Sequence, residues 1–141
     1  MSKKERERIE RAFAWVQRKL HTNYHLVFQS FDASKVKELS PTTYLTVVRS
    51  ERDREDPLCF LVGFDPKNTK TRSFNKLRND AFHEMIHAIN WVKKDILEEA
   101  LVYIKSVKTR RLIRDKFYDA DEAATYALER AIGPYVLPRY Q

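Results

Sequence analysis

The feature that most constrains the fold is the segment 73–92, in which apolar residues recur every three or four positions. This spacing predicts a helix with a buried stripe, and Ser73 fits the N-cap position. The stripe consists of Phe74, Leu77, Ala81, Met85, Ala88 and Val92. Further apolar residues widen it, so most of the helix surface is expected to lie against other elements.

The residues before this helix predict one helix and a small sheet. Residues 3–21 carry apolar side chains at helical spacing. Residues 24–31, 42–49 and 58–64 are rich in aromatic and branched side chains, which is typical of strands. The third strand is almost wholly apolar and is therefore expected to be central. We expect an antiparallel or mixed sheet, joined to the helix at Ser73 by a polar loop.

The residues after the long helix predict further helices. Lys93 to Asp95 is expected to end the long helix, and residues 96–114 are expected to form a charged helix. Residues 119–132 predict a last helix, which Gly133 and Pro134 should end. The 141 residues are enough for one domain, so residues 1–141 are expected to form a single α+β domain.

The long helix carries a metal-binding pattern, because His83-Glu84-Met85-Ile86-His87 has the spacing H-E-x-x-H. Helical residues four apart lie on the same face, so His83 and His87 can bind one Zn²⁺ ion through their imidazoles. Glu84 projects near them and can take a proton from a metal-bound water. The pattern therefore predicts zinc-dependent hydrolysis of a peptide bond.

A catalytic zinc ion needs a third protein ligand, and no histidine follows His87. A carboxylate on a later helix is therefore expected. Glu122 is favoured because small alanines surround it and let two helices approach closely, and because it shares a face with Tyr126 and Glu129. The other candidates are Glu98, Glu99, Asp115, Asp119, Asp121 and Glu129.

These motifs resemble a known family. HEMIH on a helix after a small sheet, followed by DEAATYALERAI on a later helix, is similar to the minimal zincin metallopeptidase domains of bacteria and phages, nearest to the ImmA/IrrE type. The resemblance covers roughly residues 24–132. It implies a gluzincin-like, zincin-like fold with a Zn²⁺ cofactor, in which His83, His87 and Glu122 bind the metal and Glu84 is the base. The family's second motif usually has a carboxylate three residues before an alanine. Asp121 and Ala124 match that spacing here, so the resemblance also offers Asp121 in place of Glu122 as the third ligand.

The sequence offers several candidates for the oxyanion donor and for a fourth metal ligand, and it also predicts where the substrate lies. A donor that stabilises the oxyanion could be Tyr103, Tyr118, Tyr126 or Arg110. The protein or peptide substrate is expected to lie along an edge strand of the sheet. A metal that is purely structural would need four protein ligands, and His25 could supply the fourth only if the first strand crosses the motif helix.

Charge, cysteine content and hydropathy predict an alternative function and a location in the cell. The net charge is +7, and residues 105–116 hold six cations, so a non-catalytic basic module that binds nucleic acid or an acidic protein is the alternative. The one cysteine, Cys59, cannot form an internal disulfide and is expected to be a small buried residue. No apolar stretch predicts a membrane span or a secretion signal, so a cytoplasmic location is expected.

Overall fold

The computed structural model describes residues 3–49, 56–119 and 121–136. Five helices and three strands follow one another in this part of the chain. They are α1 (Lys3–Leu20), β1 (His25–Ser30), β2 (Leu45–Arg49), β3 (Cys59–Phe64), α2 (Pro66–Thr69), α3 (Phe74–Leu101), α4 (Val107–Asp119) and α5 (Asp121–Val136). A short 3-10 turn, Ala33–Lys35, follows β1. The predicted α+β class and the order of its elements are confirmed.

The three strands form a mixed sheet with the order β1-β3-β2. β3 is central, as its apolar sequence predicts, and pairs in parallel with β1 and antiparallel with β2. The register joins His25 to Cys59 at one end of the sheet and Leu45 to Phe64 at the other. β2 is therefore an edge strand of the described sheet, and its first residue lies at the end where β3 finishes.

The hydrophobic core lies between the sheet, α1 and α3. α1 contributes Ile9, Phe13 and Val16, which are fully buried and recur at helical spacing. The predicted stripe on α3 is confirmed by the burial of its inward residues. The buried residues of α3 are Leu77, Ala81, Phe82, Met85, Ile86, Ala88, Asn90 and Leu101. In the part of the chain that is described, no helix combines the length and apolar character needed to cross a membrane.

Three predicted boundaries are wrong. α3 continues through Lys93 to Asp95, because residues 74–101 contain no glycine or proline and Asp95 is paired with Arg49. Residues 96–114 are not one helix, since the chain turns after Leu101 and Ser106 caps α4 by accepting a bond from the Thr109 N–H group at 3.2 Å. α5 continues through Gly133 and Pro134 to Val136. Proline's fixed φ is compatible with a helix, and near the helix end it removes only one backbone hydrogen bond.

The connection between β3 and α3 is more ordered than a polar loop. The Asp65 side chain accepts bonds from Lys67 N at 3.0 Å and Ala33 N at 2.9 Å, which caps α2 and anchors the 3-10 turn. Ser73 then caps α3 as predicted, accepting a bond from Lys76 N at 3.3 Å. Both caps use a short oxygen side chain to satisfy N–H groups that begin a helix. They determine where α3 starts and therefore where its motif lies.

α1 is attached to this connection by a buried polar cluster. Thr69 Oγ1 donates to Glu5 Oε2 at 2.7 Å, and Arg8 Nη1 donates to Glu5 Oε1 at 2.8 Å. Arg8 also donates to the carbonyl oxygens of Thr69 and Arg72. The cluster holds the residues just before α3 against α1.

We expect Thr69→Val to lower the free energy of unfolding by about 1–3 kcal/mol, because it keeps the side-chain shape but leaves a buried carboxylate without one donor. Urea denaturation measures the change. Thr109→Val on the exposed surface of α4 is the matched control and should change the free energy by less than about 0.5 kcal/mol. Equal effects of the two substitutions would contradict a role for the Thr69 hydroxyl.

Candidate metal centre

The two histidines of the motif face each other on α3. Their Nε2 atoms are 3.1 Å apart and their ring centroids are 4.7 Å apart. Both side chains are partly buried, and His83 lines a cavity beside the motif. A tetrahedral zinc ion with Zn–N bonds of about 2.0–2.1 Å separates two ligand nitrogens by about 3.3–3.4 Å. The helix therefore holds the two imidazoles at nearly the spacing that one shared zinc ion requires.

α5 packs against the motif helix through a buried hydrogen bond. Asn90 Nδ2 on α3 donates to Thr125 Oγ1 on α5 at 2.8 Å, and both side chains are buried. From this crossing point, one further turn along α5 leads to Glu129. The Glu129 Oε2 atom lies 2.6 Å from His83 Nδ1. Asn90 and Thr125 therefore position the helix that brings a carboxylate to the motif, and sequence analysis assigned neither of them a function.

Glu129 contacts the nitrogen of His83 that points away from His87. A carboxylate that accepts a bond from Nδ1–H leaves the Nε2 lone pair of the same ring available to a metal. The arrangement is that of a carboxylate that orients a metal-binding histidine. Glu129 was among the candidate carboxylates, but the sequence alone did not distinguish it from the others.

The side chains of Glu122, Asp119 and Asp121 lie outside the described part of the structure, so their assignment as metal ligands stays a prediction. The backbone of Glu122 lies on α5 two turns before Glu129, about 10 Å away along the helix axis. Among the other candidates, Glu98 is bonded to Arg114, and Glu99 and Asp115 are exposed.

A cavity of about 420 Å³ opens beside the motif. α3 and α5 form one side of it, and the chain entering β2 forms another. Its lining residues are Tyr44, Leu45, Arg72, Lys76, Asn79, Asp80, His83, Glu84, Tyr126 and Glu129. Glu84 and His83 therefore share one solvent-accessible space with the first residue of the edge strand β2.

Tyr126 is the candidate oxyanion donor that lies at this cavity. Its ring centroid is 4.9 Å from that of His83, and 47% of the residue is exposed. Tyr103 is 87% exposed and does not line the cavity, and Arg110 donates to the Ile104 carbonyl oxygen at 2.7 Å. Tyr118 lies among the residues whose side chains are not described. Tyr126 is therefore the described candidate best placed to contact a bound substrate.

An ion pair forms part of the cavity wall. Arg72 donates to both carboxylate oxygens of Asp80, at 3.0 and 2.8 Å, and its guanidinium lies over the Tyr44 ring at 4.4 Å. Burial raises the pKa of the Asp80 carboxyl, and this effect outweighs the bond from Arg72 and the nearby charge of His83, both of which lower it. Sequence analysis gave no signal for this pair, because its residues are eight apart and meet across the start of α3.

We expect Asp80→Asn to gain stability relative to the wild type as the pH rises. A carboxyl with a raised pKa binds its proton more tightly in the folded state, so its contribution is fully present below the ordinary value near 3.8 and is lost as the pH rises through the raised value. Urea denaturation of both chains from pH 3 upward measures the difference in the free energy of unfolding. If Asp80→Asn instead lost stability relative to the wild type as the pH rises, the raised pKa of Asp80 would be contradicted.

His25 does not lie at the motif. It begins β1 at the end of the sheet opposite the cavity, beside its register partner Cys59. The predicted burial of Cys59 is confirmed. The basic residues 105–116 lie on the turn before α4 and on α4 itself, and Lys105, Lys108, Arg111 and Lys116 are exposed. Arg114 is paired with Glu98 at 2.7 Å.

Comparisons of this chain with protein-family models, with curated proteins and with solved structures give no match.

Proposed function

We propose that this chain is a zinc-dependent endopeptidase, which cleaves peptide bonds in a protein or peptide substrate. The observation that carries the proposal is the 3.1 Å approach of the His83 and His87 Nε2 atoms, beside a cavity that His83 and Glu84 line. The likeness of the HEMIH motif and the later alanine-rich helix to zincin metallopeptidases supports the same conclusion. We propose that the enzyme acts in the cytoplasm, since its one cysteine cannot form an internal disulfide.

The donor set suits zinc. Two imidazole nitrogens are borderline-soft ligands that zinc prefers, and a carboxylate completes the usual set in hydrolytic sites. His83 and His87 would hold the ion, with Glu122 as the predicted third ligand and Glu129 orienting His83. A zinc ion bound there supplies a Lewis acid that polarises the substrate carbonyl and activates a water molecule.

The residues of the cavity have separate roles in the proposed reaction. Glu84 accepts a proton from the attacking water and passes it to the amine that leaves. Tyr126 donates a hydrogen bond to the oxygen on which negative charge develops. The substrate pairs with the edge strand β2, whose first residue, Leu45, lines the cavity.

The function is tested by incubating the zinc-loaded chain with an unfolded protein and analysing the products by mass spectrometry. We expect internal cleavage that a chelator abolishes and added zinc restores. His83→Ala should be inactive under the same conditions. Cleavage that survives both chelation and His83→Ala would reveal a contaminating protease and overturn the proposal.

The position of Glu129 predicts how strongly it affects metal binding. As an orienting carboxylate, it should strengthen zinc binding by about 10–100-fold, so Glu129→Gln should weaken binding by this factor without abolishing it. A competition titration against a chromophoric chelator measures the change. Glu122→Gln in parallel tests the predicted third ligand, and a larger loss there would support direct coordination. No loss in Glu129→Gln would contradict the orienting role.

The exposed cations on α4 and on the turn before it support a second candidate function. Lys105, Lys108, Arg111 and Lys116 are exposed and present positive charge to solvent. Such a surface would bind nucleic acid or an acidic protein weakly and with strong salt dependence. Replacing Lys105, Lys108 and Arg111 with glutamine should remove binding to a DNA duplex at low salt. Unchanged binding would contradict a binding function of these cations.

A further inference from the structure

We propose a second metal site, made by His25, Asp56 and Cys59 and suited to zinc or another divalent ion that prefers sulfur and nitrogen. Each of the three residues offers one ligand atom, and these atoms all lie within 4.8 Å of one another. His25 is exposed, Asp56 is half-buried and Cys59 is buried. The cluster therefore extends from the solvent to the edge of the core. It is independent of the proposed peptidase function.

The backbone brings these three residues together. His25 and Cys59 are the first residues of β1 and β3 and are register partners in a parallel ladder. The His25 N–H group donates to the Leu58 carbonyl oxygen at 3.0 Å. Asp56 is held by the turn before β3, where its Oδ1 atom accepts from Leu58 N at 3.0 Å and its carbonyl oxygen accepts from Cys59 N at 3.2 Å. The ligand residues are thus preorganised by main-chain hydrogen bonds.

The distances are close to those of a tetrahedral site. With Zn–N, Zn–O and Zn–S bonds of about 2.0–2.3 Å, ligand atoms lie about 3.3–3.6 Å apart. Small side-chain rotations that shorten the separations by at most about 1.5 Å would complete the site. The Cys59 thiol releases its proton to solvent as the metal–sulfur bond forms, so binding should be tighter at higher pH.

The chemistry of the ligands selects the ion. A thiolate and an imidazole favour Zn²⁺ or Co²⁺, whereas Mg²⁺ and Ca²⁺ prefer oxygen ligands alone. The site lies at the opposite end of the sheet from the HEMIH cavity, five residues or about 17 Å along β3. An ion bound here would connect β1, β3 and the turn before β3. It would stabilise the folded chain without entering the cavity.

Cobalt spectroscopy tests the site, because Cys59 is the one cysteine of the chain. A sulfur-to-cobalt charge-transfer band in the near ultraviolet can then arise from this residue alone. We expect the metal-free wild-type chain to develop the band on titration with Co²⁺ and to lose it on addition of Zn²⁺, but not of Mg²⁺. Cys59→Ala should show no band.

Two further substitutions test whether His25 and Asp56 bind the metal together with Cys59, or whether the thiol binds it alone. Asp56→Asn keeps an oxygen that can accept from Leu58 N, and His25→Gln changes an exposed side chain, so both chains should fold. Each should weaken cobalt binding by more than about 10-fold, since Asp56→Asn removes the negative charge of one ligand and His25→Gln removes the imidazole. His21→Asn, another exposed histidine, is the control and should have no effect.

Two results would overturn the proposal. One is the absence of a charge-transfer band in the folded wild-type chain. The other is a band whose titration is the same in wild type, His25→Gln and Asp56→Asn. His87→Ala should leave the band unchanged, so a failure of the proposed peptidase site would be distinguishable from a failure of this one.

Discussion

Replacing Glu84 with glutamine is expected to lower kcat/KM for peptide hydrolysis by about 10²–10⁴-fold while zinc stays bound. Glutamine has nearly the same size and still lines the cavity, but it cannot accept a proton from water. The two imidazoles that would hold the ion are unchanged. Steady-state rates on a fluorogenic peptide, together with elemental analysis of the same samples, measure both quantities.

Glu99→Gln is the matched control for this prediction. Glu99 lies on the same helix, is exposed and does not line the cavity, so the rate should change less than about twofold. A rate for Glu84→Gln equal to that of Glu99→Gln would remove Glu84 from the role of base. Loss of zinc from Glu84→Gln would instead indicate that Glu84 helps to hold the metal.

The second large effect is expected from His87→Ala, which should lower bound zinc by one equivalent per chain and weaken binding at the HEMIH site by more than about 100-fold. The substitution removes one of the two nitrogens that lie 3.1 Å apart and leaves the bond between His83 and Glu129 in place. Metal affinity depends on the number and geometry of ligands, so one remaining imidazole should not retain the ion. Equilibrium dialysis against buffered zinc measures both changes.

His21→Asn is the control for metal binding. His21 is an exposed histidine with a positive φ of 55°, a conformation that asparagine also adopts readily. Its replacement should leave both stoichiometry and affinity unchanged. Equal zinc content in wild type and His87→Ala would contradict a metal centre at HEMIH, and the basic binding function would then be the better account.

Local sequence patterns predicted the elements of the fold well where burial of apolar side chains or a helix cap determines the structure. The apolar stripe of α3 and its Ser73 cap are confirmed, and so is the central position of β3. The errors lie at boundaries where local signals are weak. Lys93 to Asp95 is charged but has no helix-breaking residue, and Asp95 pairs with Arg49 on strand β2, which is distant in the sequence.

For the candidate site, the sequence by itself determined the spacing of His83, Glu84 and His87, because an α-helix with no glycine or proline leaves one arrangement for residues four apart. It also placed Glu122, Tyr126 and Glu129 on one face of α5. Only the tertiary structure decided which part of that face meets α3. The crossing depends on the buried bond between Asn90 and Thr125 and on helix packing, neither of which has a periodic signature in the sequence. For the same reason, the meeting of His25 with Cys59 depends on strand register, which is a long-range property of the folded sheet.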